Sequence, residues 1–131
     1  MKHAAAALFL LFAIFLAPPA LPQQKPEWTW TDRHGQKHTR AELDEILAKH
    51  KKWLEAGQKS NDPRRADLIG ADLSHAFLPR AVLTRGNLIG AKLTRAELFG
   101  ADLIGAGLGG ADLIGADLFG ADNSGASNVV D

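Results

Sequence analysis

The chain has 131 residues, with 15 Lys and Arg balanced by 15 Asp and Glu. It is therefore at most one small domain with accessories, and its overall charge points neither to nucleic acid nor to an acidic surface. It contains no cysteine, which excludes disulfides, thiolate metal sites and a lipid-bearing N-terminal cysteine.

Residues 1–22 open with Lys2, run apolar from Ala4 to Ala17 and end in prolines. A run of about 14 residues suits the apolar region of a secretory signal better than a membrane span, which needs roughly 20. Pro18 obscures the cleavage site, so an uncleaved N-terminal anchor is the competing reading. The remainder is expected to work outside the cytoplasm, periplasmic or secreted, and to meet a membrane only if the segment stays attached.

Residues 23–38 form a polar and aromatic segment. Trp28 and Trp30 lie two apart, as on one side of a short strand, and Asp32-Arg33-His34-Gly35 is a turn signal. The pair predicts a small hairpin. Residues 39–57 then read as one amphipathic helix. Thr39 and Glu42 match a capping box, the acidic residues Glu42, Asp44 and Glu45 precede the basic Lys49, Lys51 and Lys52, and Gly57 is a stop signal. Leu43, Ile46, Leu47 and Leu54 follow helical spacing and are expected to face inward, with His50 packed on the same seam. A lone helix of this length is marginal in water, so its stripe requires a partner. Residues 58–65 form a polar linker.

From residue 66 the text changes to a period of five. Leucine recurs at Leu68, Leu73, Leu78, Leu83, Leu88, Leu93, Leu98, Leu103, Leu108, Leu113 and Leu118. In a helix this spacing carries leucines around every side, and in a strand it sends successive leucines to opposite faces. All point inward only if the chain changes direction once per repeat. The residue two before each leucine is alanine, or glycine at Gly86, small enough to share the interior. Glycine two after the leucine, as at Gly70, Gly90 and Gly100, suits a corner.

Ala66-Asp67-Leu68-Ile69-Gly70, Ala101-Asp102-Leu103 and Ala111-Asp112-Leu113 resemble the repeat of the pentapeptide repeat family, A-(D/N)-L-x-x. The resemblance implies an all-β solenoid over residues 66–131, a right-handed quadrilateral β-helix with 20 residues per coil, here capped by the N-terminal helix. Residues twenty apart are often alike, as Ile69 and Ile89 or Phe99 and Phe119. Asn123 occupies a leucine slot, so the far end is either a polar cap or a surface that pairs with another molecule.

No set of residues points to catalysis, a cofactor, a metal or a small-molecule substrate. His34 and His38 lack a third ligand, and the serines and threonines lack a partnered base. Some members of the resembled family imitate DNA and protect gyrase, but residues 66–131 carry eight acidic against four basic residues, a net of only −4, behind an export signal. The expectation is a non-enzymatic exported structural or protein-interaction module that binds no nucleic acid. The DNA-mimicking, topoisomerase-protecting protein is the alternative. In a four-sided register Phe77, Phe99 and Phe119 share one side at outward slots, a candidate surface for self-association or a protein partner; the competing reading is chance turn packing.

Overall fold

The computed structural model describes residues 17–22 and 26–127. The expected signal segment lies largely outside the described residues, and no described helix is long and apolar enough to cross a membrane. The regular elements are strands β1 (Thr29–Thr31) and β2 (Lys37–Thr39) and helix α1 (Arg40–Glu55).

β1 and β2 pair antiparallel with Trp30 opposite His38. Asp32 closes the connection: its Oδ1 accepts from the N–H groups of His34 and Gln36, both at 2.9 Å, and Gly35 N–H donates to its carbonyl. The φ of +78° at Gly35 is why glycine follows here. Thr39 ends β2 and caps α1. Its hydroxyl accepts from Glu42 N–H while Glu42 Oε2 accepts from Thr39 N–H, the reciprocal bonds of a capping box. At the other end Gly57 takes φ +94° and Gln58 N–H reaches back to Trp53 O at 3.3 Å, a Schellman closure one residue past the Ala56 C-cap.

The repeats contribute isolated parallel bridges rather than extended strands. Asp67 pairs with Asn87, Asp72 with Lys92, Phe77 with Glu97 and Val82 with Asp102, and the same four columns continue upward to Asp112, Asp117, Asp122 and Ser127. Residues twenty apart therefore lie one above another, and four five-residue units separate stacked mates. Each side is too short for a strand because a turn follows every leucine. One bridging residue per side exchanges both backbone groups with the level below, as Asn87 N–H donates to Ala66 O at 3.0 Å and its carbonyl accepts from Leu68 N–H at 2.8 Å.

Leu73 to Leu108 and most of their alanine neighbours are sealed inside this stack, whereas Leu113 and Leu118 near the last level are only partly buried. The repeat letters are thus consumed by packing, most completely at the lower levels of the described stack. Corners show a second regularity. The glycine slot holds His75, Arg80, Arg85 and Arg95 at φ between 56° and 60°, a region that costs an ordinary side chain about 1 kcal/mol. The Arg80, Arg85 and Arg95 stems lie against Gly100, Gly105 and Gly115 one level up, where an added Cβ would approach each arginine Cγ to 3.2 Å. A side chain at the next corner would therefore crowd each arginine stem by a few tenths of an ångström.

The hairpin and α1 cover the first level. Thr31 bridges Asp72 antiparallel, and Trp28 donates its indole N–H to Ser74 O at 3.1 Å. Leu43 is fully buried, and Ile46 and Leu47 are half-buried against the core. Leu54, expected inward, is half-buried and is not packed against the core cluster, whereas Trp53 at the adjacent position is buried. The Arg65 guanidinium lies over the Trp53 ring, 5.6 Å from its centre, and Lys59 O accepts the indole N–H.

His50 is the point where helix and repeats lock. It has 0% exposure, and its Nδ1 accepts from Ala66 N–H at 2.9 Å while Nε2 stands 2.9 Å from Thr84 O. An amide can only donate and a carbonyl only accept, so the ring is the neutral Nε2–H tautomer. At higher levels the equivalent of Thr84 O receives a bond from the coil beneath, as Thr94 O does from His75 N–H. Below the first level there is no coil, and the imidazole takes its place.

Candidate functional site

What remains free to recognise anything is the outward set of side chains. Phe77, Phe99 and Phe119 stand on the side formed by residues 76–80, 96–100 and 116–120, since Phe77 bridges Glu97 and Glu97 bridges Asp117. Phe77 is 53% and Phe119 85% exposed, whereas Phe99 is half-buried. The structure brings Phe77 and Phe99 together, edge to face at 6.2 Å between centroids. Phe119 sits one level above Phe99, with Gly100 N–H donating to its carbonyl. The backbone stacking of 99 under 119 is present, but the ring of Phe99 turns down to Phe77.

Charge is segregated along the stack, which sequence reading by totals missed. Residues 26–95 hold 13 Lys and Arg against nine Asp and Glu, a net of +4, whereas residues 96–127 hold none against five, a net of −5. The signal was legible: no basic residue follows Arg95. Asp112, Asp117 and Asp122 each fold back on the N–H two residues on at 3.0 Å, and none meets a cation within ion-pair distance among the described residues. The Ser124 hydroxyl, donating to Asp122, lowers that carboxyl below its usual range, as Ser74 does for Asp72.

The cap carries a second cluster. His38 Nε2 lies 3.0 Å from Asp32 Oδ2 and Nδ1 3.4 Å from Glu42 Oε1, and its ring stacks on Trp30 at 4.5 Å. A neutral imidazole can donate from only one nitrogen, so two facing carboxylates favour the cation; the Asp32 bond above all raises the His38 pKa. His50 goes the opposite way, lowered because burial disfavours its charged form. His34 is exposed and bonded to Arg33, and no group of three metal-ligating side chains forms among the described residues. The cleft of about 190 Å³ between hairpin and first level, lined by Trp30, Asp32, Arg33 and Asp67, is open and holds no unpartnered buried polar side chain.

Against this geometry, the family model for pentapeptide repeats matches residues 64–98 and 96–127, in eight copies. The chain is a pentapeptide-repeat protein. No curated protein matches it. The matched region begins at the last two residues of the linker and spans the whole described stack, including the partly buried levels of Leu113 and Leu118. The family match therefore accounts for the core, and it leaves the Phe77 to Phe119 side, the charge segregation and the histidine-locked cap as features of this chain.

Proposed function

We propose that this pentapeptide-repeat protein is an exported, non-enzymatic module whose repeats form a right-handed quadrilateral β-helix, closed at its N-terminal end by α1 and the hairpin, and that it serves as a rigid protein-interaction or structural unit. One observation carries the reading. The repeated leucines and alanines are spent on the core, while Phe77 and Phe119, which packing does not require, stand exposed on one side. Exposed aromatic surface of this kind is the usual anchor of protein contacts. The apolar run after Lys2 supports export.

The test is cell fractionation combined with crosslinked capture. The expected result is protein in the envelope or medium that captures a protein, with capture lost on replacing Phe99 and Phe119 by serine and the thermal midpoint nearly kept. Intact chain confined to the cytoplasm, protecting a topoisomerase from inhibition, would contradict the proposal and favour a DNA mimic.

A further inference from the structure

The side bearing Phe77, Phe99 and Phe119 is complementary to itself when inverted. At its lower level it presents Phe77 and Arg80, with Arg40 of α1 donating to Phe77 O. At its middle level it presents Glu97 and Phe99, and at its upper level Asp117 and Phe119. Arg80, Glu97 and Asp117 form no ion pair among the described residues, whereas Arg40 is held by Asp44 at 2.8 Å. Basic charge thus sits below and acidic charge above, with an exposed phenylalanine at each end.

We propose that two copies of the chain pair through this side, antiparallel, about a two-fold axis lying in the interface at the level of Glu97. This inversion sets the lower level of each copy against the upper level of the other. Phe119 then packs against Pro79 and Phe77 of the second copy, and Arg80 comes within side-chain reach of its Asp117. Both contacts occur twice, and the closed symmetry stops growth at the dimer. End-to-end pairing through the upper level is disfavoured, because Asp112, Asp117 and Asp122 of one copy would meet the same three carboxylates of the other.

The arrangement also contains a repulsive contact: the two Glu97 side chains face each other across the axis. Three levels at about 4.8 Å give a side only roughly 15 Å tall, so the area covered falls well short of the ~800 Å² per partner of a standard interface. The dimer is therefore weak and dissociates on dilution.

The inference rests on the interaction-module reading and names its partner as a second copy. The experiment is sedimentation of the full chain over a concentration series in low salt, for wild type, Arg80→Glu, Asp117→Arg, an equimolar mixture of the two, and Glu97→Gln. Each charge inversion alone places like charges at both symmetry-related contacts, and association should weaken about tenfold. Mixing restores it, because the carboxylate introduced at position 80 then meets the guanidinium introduced at position 117 at one contact, and Arg80 meets Asp117 at the other. Glu97→Gln tightens association, and added salt weakens the wild type. Association carried by the apolar residues 4–17 would be indifferent to all of these substitutions, and that result overturns the proposal. So does an unrestored mixture, or a chain that stays monomeric at millimolar concentration. A monomer that still captures another protein through Phe99 and Phe119 defeats the dimer while leaving the interaction module standing.

Discussion

Replacing His50 by leucine removes the group that closes the bottom of the stack. The imidazole satisfies Ala66 N–H and Thr84 O, each at 2.9 Å, in a site from which water is excluded. Leucine fills most of the volume but bonds neither, and each buried backbone group left alone costs about 1–3 kcal/mol. Part of that is offset by the greater apolar character of leucine, leaving a net loss of about 2–4 kcal/mol, a large share of the ~5–15 kcal/mol stability of a native domain. The assay is urea unfolding at pH 8, where the imidazole is neutral, followed by far-ultraviolet circular dichroism, because the fluorescence of Trp53, stacked 5.2 Å from His50, overlaps that of Trp28 and Trp30. His50→Gln, whose amide can both accept and donate, should recover part of the loss. The same site sets a pH dependence. The folded pKa is lowered, so the His50 contribution is complete above the unfolded value of about 6.5 and is lost as pH falls from there toward the folded value. The loss approaches about 1.4 kcal/mol per pH unit within that window. A His50→Leu chain within about 0.5 kcal/mol of wild type, or an acid dependence that survives the substitution unchanged, would refute the reasoning.

Thr39→Ala removes the hydroxyl that caps α1 and should cost about 1 kcal/mol in the same unfolding assay. Leu98→Ala, in a sealed level, should cost about 2–5 kcal/mol, and Leu118→Ala, half-buried in the last level, clearly less; equal costs would mean that Leu118 is as tightly packed in solution as Leu98. The His38 pKa, measured by NMR titration, should lie above the ordinary value of about 6.5 and return toward it in Asp32→Asn, so its contribution is present below pH ~6.5 and is lost as pH rises through the folded value, opposite in sign to that of His50.

The phase of the leucines was legible because the interior admits one large side chain per five residues, and Leu73 to Leu108 are buried as that phase requires. The stacking of residue on residue twenty places later was legible for the same reason, from likenesses such as Asp102 and Asp122. Thr39 and Glu42 announce the start of α1 because capping is a local bond. Tertiary choices were harder to read. Positions 53 and 54 point about 100° apart on the helix, so the apolar period brackets the seam without saying which is buried, and the docking of α1 beneath the first level selects Trp53. The bridge from Thr31 to Asp72 depends on how the hairpin docks, and no spacing announces it. His50 was placed on the seam by its period, but its role required knowing that Thr84 O has no coil beneath it. On the candidate side, the shared face of the three phenylalanines followed from the register, whereas the turn of Phe99 toward Phe77 is a rotamer outcome that five-letter periodicity cannot encode.

In the function proposed above, recognition resides on the Phe77 to Phe119 side of the stack and takes place outside the cytoplasm. Because the chain has no cysteine, a photo-crosslinking cysteine reagent can be placed at one position at a time in the native host. Position 117 on that side and the exposed Ile89 on the 86–90 side make the comparison. The account predicts protein adducts from position 117, recovered in the envelope or secreted fraction, and few from position 89. Equal adducts from both positions, or adducts only from intact cytoplasmic chain, would contradict it.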